Sequence, residues 1–290
     1  MKRIAQTVAL SLALTGTARA EPARDYPPHV IRNSLLRPLP PTADGRHYQL
    51  HIKLPTSFAR ESQRRYPVLY VTDGYWDFPL VVSIYNNLVY DEVVPEMIIV
   101  GLGYAGEHPD YEALRDWELS PVPETGERAA ETGHADKFLA TLERDVIPLV
   151  EREYRADPAH RALAGSSLGG LFALYAMYTR PALFEGVIAA SPAVGIGGDW
   201  ILVQAKAYAA TGKLLKARLF VTGAGYEWPG FLAGIQRYQA LLPELKHPGL
   251  VFQNRIIEGE RHGGTKPESY TRGMRFVFEP LAPEAGPAKD

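Results

Sequence analysis

Short apolar runs alternate with helical patterns along the chain from residue 45 onward. The first run, residues 45–55, alternates polar and apolar side chains and ends at a proline, as in a strand with one solvated face. The later runs are short and mostly apolar, with turn signals behind them, which is typical of buried strands. These runs lie at residues 68–72, 97–100, 162–164, 187–190, 218–221 and 250–257.

Between several of these runs, apolar residues recur every three or four positions, which predicts helices. The helical patterns cover residues 135–154, 168–178 and 231–242. Pro158 and Pro181 follow the first two, where a helix could not continue. Alternating strands and helices predict the α/β class, with a mostly parallel central sheet flanked by helices. No break in composition divides residues 45–280, which indicates a single domain there.

The two ends of the chain differ from this pattern. Lys2 and Arg3, the apolar stretch from Val8 to Leu14, and Ala18-Arg-Ala20 together predict a secretory signal peptide over residues 1–20. We therefore expect a periplasmic or secreted protein, with no later run near the roughly 20 apolar residues of a membrane span. Residues 21–44 carry six prolines and predict an extended N-terminal arm. Residues 281–290 are expected to form a flexible C-terminal tail.

Composition excludes several function classes. Lys and Arg number 31 against 33 Asp and Glu, and no basic run is present, which argues against a nucleic-acid partner. The absence of cysteine excludes disulfides, thiolate metal sites and cysteine nucleophiles. The histidines are scattered without metal-ligand spacing, so we expect neither a metal nor another cofactor. Nothing in the composition indicates the oligomeric state.

One glycine motif imitates a dinucleotide fingerprint. Gly101-Leu-Gly103-Tyr-Ala-Gly106 follows a predicted strand. A fingerprint must open a helix, whereas Pro109 would break one here. We therefore do not predict NAD or FAD binding.

A second glycine motif carries chemistry. Gly165-Ser-Ser167-Leu-Gly169 lies between a strand pattern and an apolar helix, which is the nucleophile-elbow arrangement. The turn is so tight that a Cβ at either flanking glycine would collide with a neighbouring element. Ser167 is therefore the candidate nucleophile. The backbone N–H of Leu168, at a helix N-terminus, is a candidate oxyanion donor.

A serine hydroxyl needs a histidine base within reach. Only His247 and His262 follow Ser167 in the sequence. Because parallel strands share one carboxyl edge, the base should follow a strand. His262 follows the run at 250–257 in a glycine-rich loop, whereas His247 precedes it, so we expect His262 to be the base.

An acid that orients the histidine should also follow a strand. Glu227 comes directly after the run at 218–221 and is the preferred candidate. Asp199, Glu258 and Glu260 remain alternatives, as does a Ser-His dyad without an acid.

The second oxyanion donor is expected in the loop after an earlier strand. There, Gly74 allows a close approach, and the backbone N–H of Tyr75 is the candidate. Several aromatic residues fall in segments predicted to reach the same edge, and some of them are expected to line an acyl or aryl pocket. They are Tyr75, Trp76, Phe78, Tyr104, Trp117 and Trp228, of which Trp76 and Trp228 are substrate-binding candidates.

Residues 107–133 are rich in proline, glycine and charge, which favours a lid or a pocket wall. Arg115 and Arg128 in this segment are candidates for contact with an anionic or catecholate substrate, against solvated surface charge as the alternative.

Six motifs in order resemble the α/β-hydrolase branch of esterases that includes esterase D-like enzymes and the enterobactin (trilactone siderophore) esterases. The resemblance spans roughly residues 40–280. It is carried by Tyr66-Pro-Val-Leu-Tyr-Val-Thr-Asp-Gly74, Arg115-Asp-Trp-Glu-Leu-Ser-Pro, Gly165-Ser-Ser-Leu-Gly-Gly-Leu-Phe-Ala-Leu, Ala190-Ser-Pro192, Gly259-Glu-Arg-His-Gly and Arg272-Gly-Met-Arg-Phe.

This resemblance implies an α/β-hydrolase fold, Ser167 as nucleophile, His262 as base, and an oxyanion hole made by the N–H groups of Tyr75 and Leu168. The acid is less regular in this branch, and the substrate does not carry over. The sequence thus predicts an exported serine carboxylic-ester hydrolase that forms an acyl-enzyme, on siderophore-type or other small esters. An acyltransferase on the same scaffold and a non-catalytic ligand-binding domain are the alternatives.

Overall fold

The computed structural model describes residue 27, residues 29–42 and residues 45–284. The chain separates into two units, residues 1–30 and residues 31–290. In the first unit, the described residues Pro27, His29 and Val30 are exposed. The predicted signal peptide lies outside the described residues, and so do residues 285–290 of the predicted tail.

The second unit is built on one eight-stranded sheet with the order β1-β2-β4-β3-β5-β6-β7-β8. β2 runs antiparallel to both β1 and β4, and the other neighbours are parallel. The strands are β1 Ser34–Pro38, β2 Tyr48–Lys53, β3 Tyr66–Val71, β4 Ile98–Tyr104, β5 Ala156–Ser166, β6 Gly186–Ala190, β7 Ala217–Ala224 and β8 Leu250–Ile257. The predicted fold class is confirmed, and every predicted strand is present. β1 is an addition, lying within the segment predicted as an extended arm.

Eight α-helices occur in the described residues. They are α1 Gly74–Tyr90, α2 Tyr111–Leu119, α3 Ala135–Thr141, α4 Ile147–Glu153, α5 Leu168–Thr179, α6 Ile196–Ala210, α7 Pro229–Leu245 and α8 Lys266–Val277. The helix predicted over 135–154 is one run in which a π-helical turn, Leu142–Val146, joins α3 to α4. The sequence patterns do not predict α1, α2, α6 or α8. Within the part of the chain described, no helix is long and apolar enough to cross a membrane.

The helices cover both faces of the sheet. Val81 and Tyr85 of α1 pack in one buried cluster with Met274 of α8. Phe172 of α5 and Tyr238 of α7 belong to the other cluster. Each large apolar side chain buried in this way stabilises the fold by about 1.5–3 kcal/mol.

Gly101, the first glycine of the motif that imitates a dinucleotide fingerprint, allows close packing between a strand and a helix. Gly101 lies inside β4 against α1, where a Cβ would approach the Phe78 Cβ to 3.0 Å. Gly74, at the start of α1, would meet the Gly101 carbonyl carbon at 2.6 Å if it carried a Cβ. The next helix begins only at Tyr111, so the motif opens no helix.

The parallel strands bring their carboxyl ends to one edge of the sheet. Three non-glycine residues that follow these ends have positive φ: Asp73 after β3 (55°), Ser167 after β5 (59°) and Ser191 after β6 (40°). Such conformations cost roughly 1–3 kcal/mol each and concentrate at functional sites. This edge is therefore where a site is expected.

Candidate active site

Ser167 lies at the turn between β5 and α5, with φ 59° and ψ −120°. Its N–H donates to the carbonyl oxygen of Ala190 at 3.0 Å, and its own carbonyl accepts from the N–H of Ala193 at 3.0 Å. Ala190 at the end of β6 and Ala193 in the loop after it thus hold the strained backbone of Ser167 with two hydrogen bonds. The side chain, which is partly exposed, is left at the carboxyl edge.

The flanking glycines have the steric role that the sequence predicts. A Cβ on Gly165 would lie 2.5 Å from the Thr72 hydroxyl oxygen, and a Cβ on Gly169 would collide with the same atom. A Cβ on Gly170 would crowd Pro192, at 3.1 Å from its Cα. β3, β5 and α5 approach this closely only because these positions carry no side chain.

His262 begins a short 3₁₀ turn, His262–Thr265, that follows β8. Its Nδ1 lies 2.8 Å and 3.0 Å from the two carboxylate oxygens of Glu227. The Glu227 side chain is 0% exposed. A carboxylate at Nδ1 fixes the tautomer with the proton on Nδ1, which leaves Nε2 able to accept a proton.

The structure therefore brings one of the candidate acids to the histidine. Asp199 instead forms an ion pair with Arg237, with 2.7 Å between Asp199 Oδ2 and Arg237 Nε. Glu258 and Glu260 are exposed. His247 lies before β8, beside the rings of Tyr178 and Tyr208.

Ser167 and His262 are linked through the end of β6. In the described residues no direct hydrogen bond joins their side chains, and such contacts are often long before substrate binds. Ser191, next to the Ala190 carbonyl that holds Ser167, lies 3.3 Å from Thr265, hydroxyl to hydroxyl. The Thr265 hydroxyl donates to the His262 carbonyl at 2.9 Å. This chain of contacts places the two side chains at the same edge.

The two candidate oxyanion donors lie at helix starts. Leu168 is the first residue of α5, and Tyr75 is the second residue of α1. The first four N–H groups of a helix have no acceptor within it, and the helix dipole adds positive potential there. Because Thr72 wedges between Gly165 and Gly169, the start of α1 is held against the elbow.

Arg115 of α2 is bound to Asp73, the residue that precedes α1. Its Nη2 lies 3.2 Å from Asp73 Oδ2, and its Nε bonds the other carboxylate oxygen. Burial raises the pKa of the Asp73 carboxyl, and the guanidinium opposes that shift. Arg115, a candidate for substrate contact, is thus committed to a buried ion pair beside the oxyanion loop. Arg128 pairs with Asp116, Glu124 and Glu131 on the surface.

Helix α2 is fastened to the sheet edge by further contacts. Tyr111 stacks on Tyr75 with ring centroids 3.8 Å apart. Glu118 accepts hydrogen bonds from the hydroxyls of Tyr48 at 2.6 Å and Tyr104 at 2.8 Å. Burial raises the pKa of Glu118 to about 8. The segment 107–133 therefore contributes an anchored wall, and its role as a lid stays a prediction.

Two aromatic side chains lie beside the histidine. The distance from the ring centroid of His262 is 5.4 Å to that of Trp228 and 5.0 Å to that of Phe231. Trp76 and Trp228 are 62% and 65% exposed, whereas Phe78 and Tyr104 are buried in the core. Trp117 packs beneath Arg46. A cavity of about 350 Å³ opens beside the histidine, lined by Tyr226, Glu227, Trp228, Pro229, Arg261, His262 and Gly263.

One charged group near the site is missed by sequence reasoning. Asp77 of α1, 1% exposed, accepts hydrogen bonds from Lys266 Nζ at 2.7 Å and from the Tyr270 hydroxyl. Lys266 also lies 3.9 Å above the Trp76 ring. These contacts join the helix that follows the oxyanion loop to the helix that follows His262. Partners 189 and 193 residues apart leave no local signal in the sequence.

Within the described residues, no group of three or more His, Asp or Glu side chains could hold a metal ion. The arrangement at the carboxyl edge is instead a serine, a histidine and a buried carboxylate, each at the end of a different strand. Such an arrangement can activate a hydroxyl as a nucleophile.

Comparison with known proteins agrees with this chemistry. Over 255 residues, the chain is 28% identical to the ferri-bacillibactin esterase BesA of Bacillus subtilis, covering 83% of this chain and 88% of the relative. It is 31% identical over 175 residues to the siderophore triacetylfusarinine C esterase of Aspergillus fumigatus, covering 59% of each. The fold matches that of an IroE-like serine hydrolase from Shewanella oneidensis with a TM-score of 0.77, at 22% identity over 87% of this chain and 82% of that one. Residues 42–219 match the protein family described as "Putative esterase". The chain belongs to this family of the α/β-hydrolase fold and is an esterase.

Proposed function

We propose that this chain is an exported serine esterase that cleaves carboxylic esters through an acyl-enzyme on Ser167. The observation that carries the proposal is the contact of His262 Nδ1 with the buried Glu227 carboxylate, 2.8 Å away, at the edge where the elbow presents Ser167. A nucleophile, a base and an orienting acid are the three parts that acyl transfer requires.

In the first half of the reaction, His262 Nε2 takes the proton of the Ser167 hydroxyl while Oγ bonds to the ester carbonyl carbon. The carbonyl oxygen becomes an anion and accepts hydrogen bonds from the N–H groups of Leu168 and Tyr75. The imidazolium then protonates the alcohol oxygen, and the C–O bond to the alcohol breaks. In the second half, His262 takes a proton from water as the oxygen bonds to the acyl carbon. The bond from that carbon to Ser167 Oγ then breaks, the imidazolium returns its proton to Oγ, and the acid is released.

The ion pair beside the oxyanion loop contributes to the electrostatics of this site. The Asp73 carboxylate lies close to the elbow, since its Oδ2 would be 3.2 Å from a Cβ on Gly169. An unpaired carboxylate there would disfavour a developing oxyanion. Arg115 neutralises this carboxylate, so the pair as a whole does not repel the oxyanion.

We further propose siderophore-type esters as the substrates. Support comes from the two curated relatives, both named as esterases of siderophores. It also comes from Trp76, Tyr226 and Trp228, each more than 60% exposed. Large exposed aromatic rings suit an ester that carries aryl groups. Because these three side chains are exposed, water can reach an acyl-enzyme beside them. This favours hydrolysis over acyl transfer to an alcohol.

The test of the mechanism is intact-mass analysis after treatment with a fluorophosphonate. The wild type should gain one adduct, and Ser167→Ala should gain none. Ser166→Ala is the matched control: it removes the adjacent hydroxyl, which is buried and has no hydrogen-bond partner in the described structure, and should label like the wild type. A folded wild type that gains no adduct would refute the nucleophile assignment and favour a binding domain.

Substrate and export are tested separately. Hydrolysis of a cyclic trilactone siderophore should proceed with a higher kcat/KM than hydrolysis of a short acyl ester. The reverse order would overturn the siderophore refinement and leave the esterase intact. For export, protein recovered from the periplasm or the medium should begin at Glu21, and an intact Met1 start would contradict it.

A further inference from the structure

Four buried hydroxyl side chains lie beneath the turn that carries His262. Ser191, Thr222, Thr265 and Ser269 are each 0% exposed. They come from the ends of β6 and β7, from the 3₁₀ turn itself and from the first turns of α8. A buried hydroxyl destabilises the fold unless it is hydrogen-bonded. The hydrogen bonds among these four side chains therefore contribute to stability.

The direction of every hydrogen bond in this group follows from the fact that each hydroxyl has one proton to donate. Ser269 donates to the Thr265 carbonyl at 2.7 Å, so Thr222, 2.7 Å from Ser269 Oγ, must donate to it. Thr265 donates to the His262 carbonyl at 2.9 Å, so Ser191, 3.3 Å away, must donate to Thr265. The network therefore has one arrangement of protons. The path through Ser191 and Thr265 ends on the His262 carbonyl, and the path through Thr222 and Ser269 ends on the Thr265 carbonyl.

The same segment holds the nucleophile. Ala190 and Ala193, on either side of Ser191, hold both backbone polar groups of Ser167. Ser191 itself has φ 40°, a strained value that its neighbours must impose. From this segment, the two-hydroxyl path through Ser191 and Thr265 reaches His262.

We propose that Ser191 and Thr265 are positioning residues that set the separation between Ser167 and His262. Neither touches the reacting atoms. This inference rests on the proposed function, because it concerns the geometry of that same catalytic pair. The backbone of the elbow holds Ser167 in place, and the hydrogen-bonded hydroxyls of Ser191 and Thr265 hold His262 in place.

Thr265→Val is the direct test because it keeps the shape of the side chain and removes the hydrogen bond. Misplacement of a catalytic group by about 1 Å can cost about 100-fold in rate. We therefore expect kcat on an ester substrate to fall about 10- to 100-fold with KM within about twofold of the wild type. Thr265→Ser restores the hydroxyl and should recover kcat.

Thr141→Val is the control, since Thr141 is a buried threonine of α3 outside this network. It should leave kcat and KM unchanged. The pH profile of kcat/KM separates positioning from general loosening, because its acid limb reports protonation of the general base. The limb should move in Thr265→Val and stay in place in Thr141→Val.

Ser191→Ala keeps the inference testable if Thr265→Val does not fold, because it removes only the first donor of the path. A kcat loss of at least about fivefold with unchanged KM supports positioning. A folded Thr265→Val or Ser191→Ala enzyme with kcat within about twofold of the wild type overturns it. Failure of the proposed function would look different, since the wild type itself would then neither hydrolyse esters nor take up fluorophosphonate.

Discussion

Two histidine–glutamate pairs lie at opposite ends of the same sheet. At the carboxyl end, His262 Nδ1 is 2.8 Å from Glu227. At the amino end, His160 Nδ1 is 2.7 Å from Glu185. The hydrogen-bond geometry alone does not distinguish them.

Their surroundings differ in burial and in neighbours. The Glu227 side chain is 0% exposed, whereas Glu185 is 34% exposed. His160 lies near the start of β5, and Ser167 follows the end of the same strand, about 20 Å away at 3.3 Å per residue. A histidine–carboxylate pair is a catalytic candidate only if it lies at the carboxyl ends of the strands, where Ser167 lies. The His160–Glu185 pair is partly exposed and far from Ser167, as expected for a surface contact.

Replacing His262 and His160 one at a time is the strongest test of this difference. His262→Ala removes the base, and we expect kcat to fall by roughly 10⁶-fold, as for loss of a triad histidine in an unrelated protease. His160→Ala should leave kcat within about twofold, because it removes only a partly exposed contact at the other end of the sheet. Steady-state kinetics on one ester substrate checks both. Comparable losses in the two variants would contradict the assignment of the site to the carboxyl edge.

The acids give the second contrast. Glu227→Gln keeps the shape but favours the wrong histidine tautomer and no longer stabilises the imidazolium, so kcat should fall by about 10⁴-fold. Glu185→Gln should be close to the wild type. If Glu227→Gln loses less than about tenfold, the enzyme works as a Ser-His dyad and Glu227 is only a neighbour.

These residues differ in how far the sequence reveals them. Ser167 is predictable because glycines within two positions of it dictate the backbone of the elbow. His262 follows from strand direction, which the apolar runs already indicate. Glu227 is preferred from the sequence because it follows β7 directly, but Asp199, Glu258 and Glu260 stay open as alternatives. The choice among them depends on how the loops after β6, β7 and β8 fold in space.

Local features of the sequence explain why its pattern does not predict some helices and one strand. Helix α1 carries Pro79 in its second turn, which obscures the helical pattern. Helix α6 begins with left-handed Gly197, Gly198 and Asp199, so its start looks like a loop. Strand β1 lies in a proline-rich segment and is partly exposed, so it lacks a continuous apolar run.

Side-chain pairs across the sequence are the least predictable, and the Asp73–Arg115 pair gives the third test. Arg115→Gln leaves the Asp73 carboxylate buried without its guanidinium. We expect a loss of about 3 kcal/mol in the free energy of unfolding, and a fall of about 100-fold in kcat because an unpaired negative charge is left near the developing oxyanion. Urea unfolding and steady-state kinetics measure the two effects.

Two further variants separate charge from packing. Asp73→Asn combined with Arg115→Gln removes both charges and leaves no unpaired carboxylate near the elbow, so it should recover most of the stability and most of kcat. Arg128→Gln, on the same segment but solvated, should change neither. If Arg115→Gln retains full activity, the ion pair has a structural role alone.

The smallest effect concerns a third histidine, His247, which shares the amino end with His160 but has no carboxylate. Its ring lies against the rings of Tyr178 and Tyr208, and neither of its nitrogens has a hydrogen-bond partner among the described residues. Burial lowers its pKa below the ordinary value of about 6.5. Such a site tolerates the neutral ring and disfavours the charged one.

The sign of the pH effect follows from proton binding. Below about pH 6.5 the unfolded chain binds a proton at this residue that the folded chain does not, so the free energy of unfolding falls as the pH falls. The loss is at most about 1.4 kcal/mol per pH unit. His247→Phe keeps the aromatic packing and removes the titration, so urea unfolding at pH 7 and pH 5 should show a smaller loss than in the wild type. An unchanged pH dependence would mean that His247 remains accessible to protons in the folded state, and that the aromatic cage does not exclude charge from this end of the sheet.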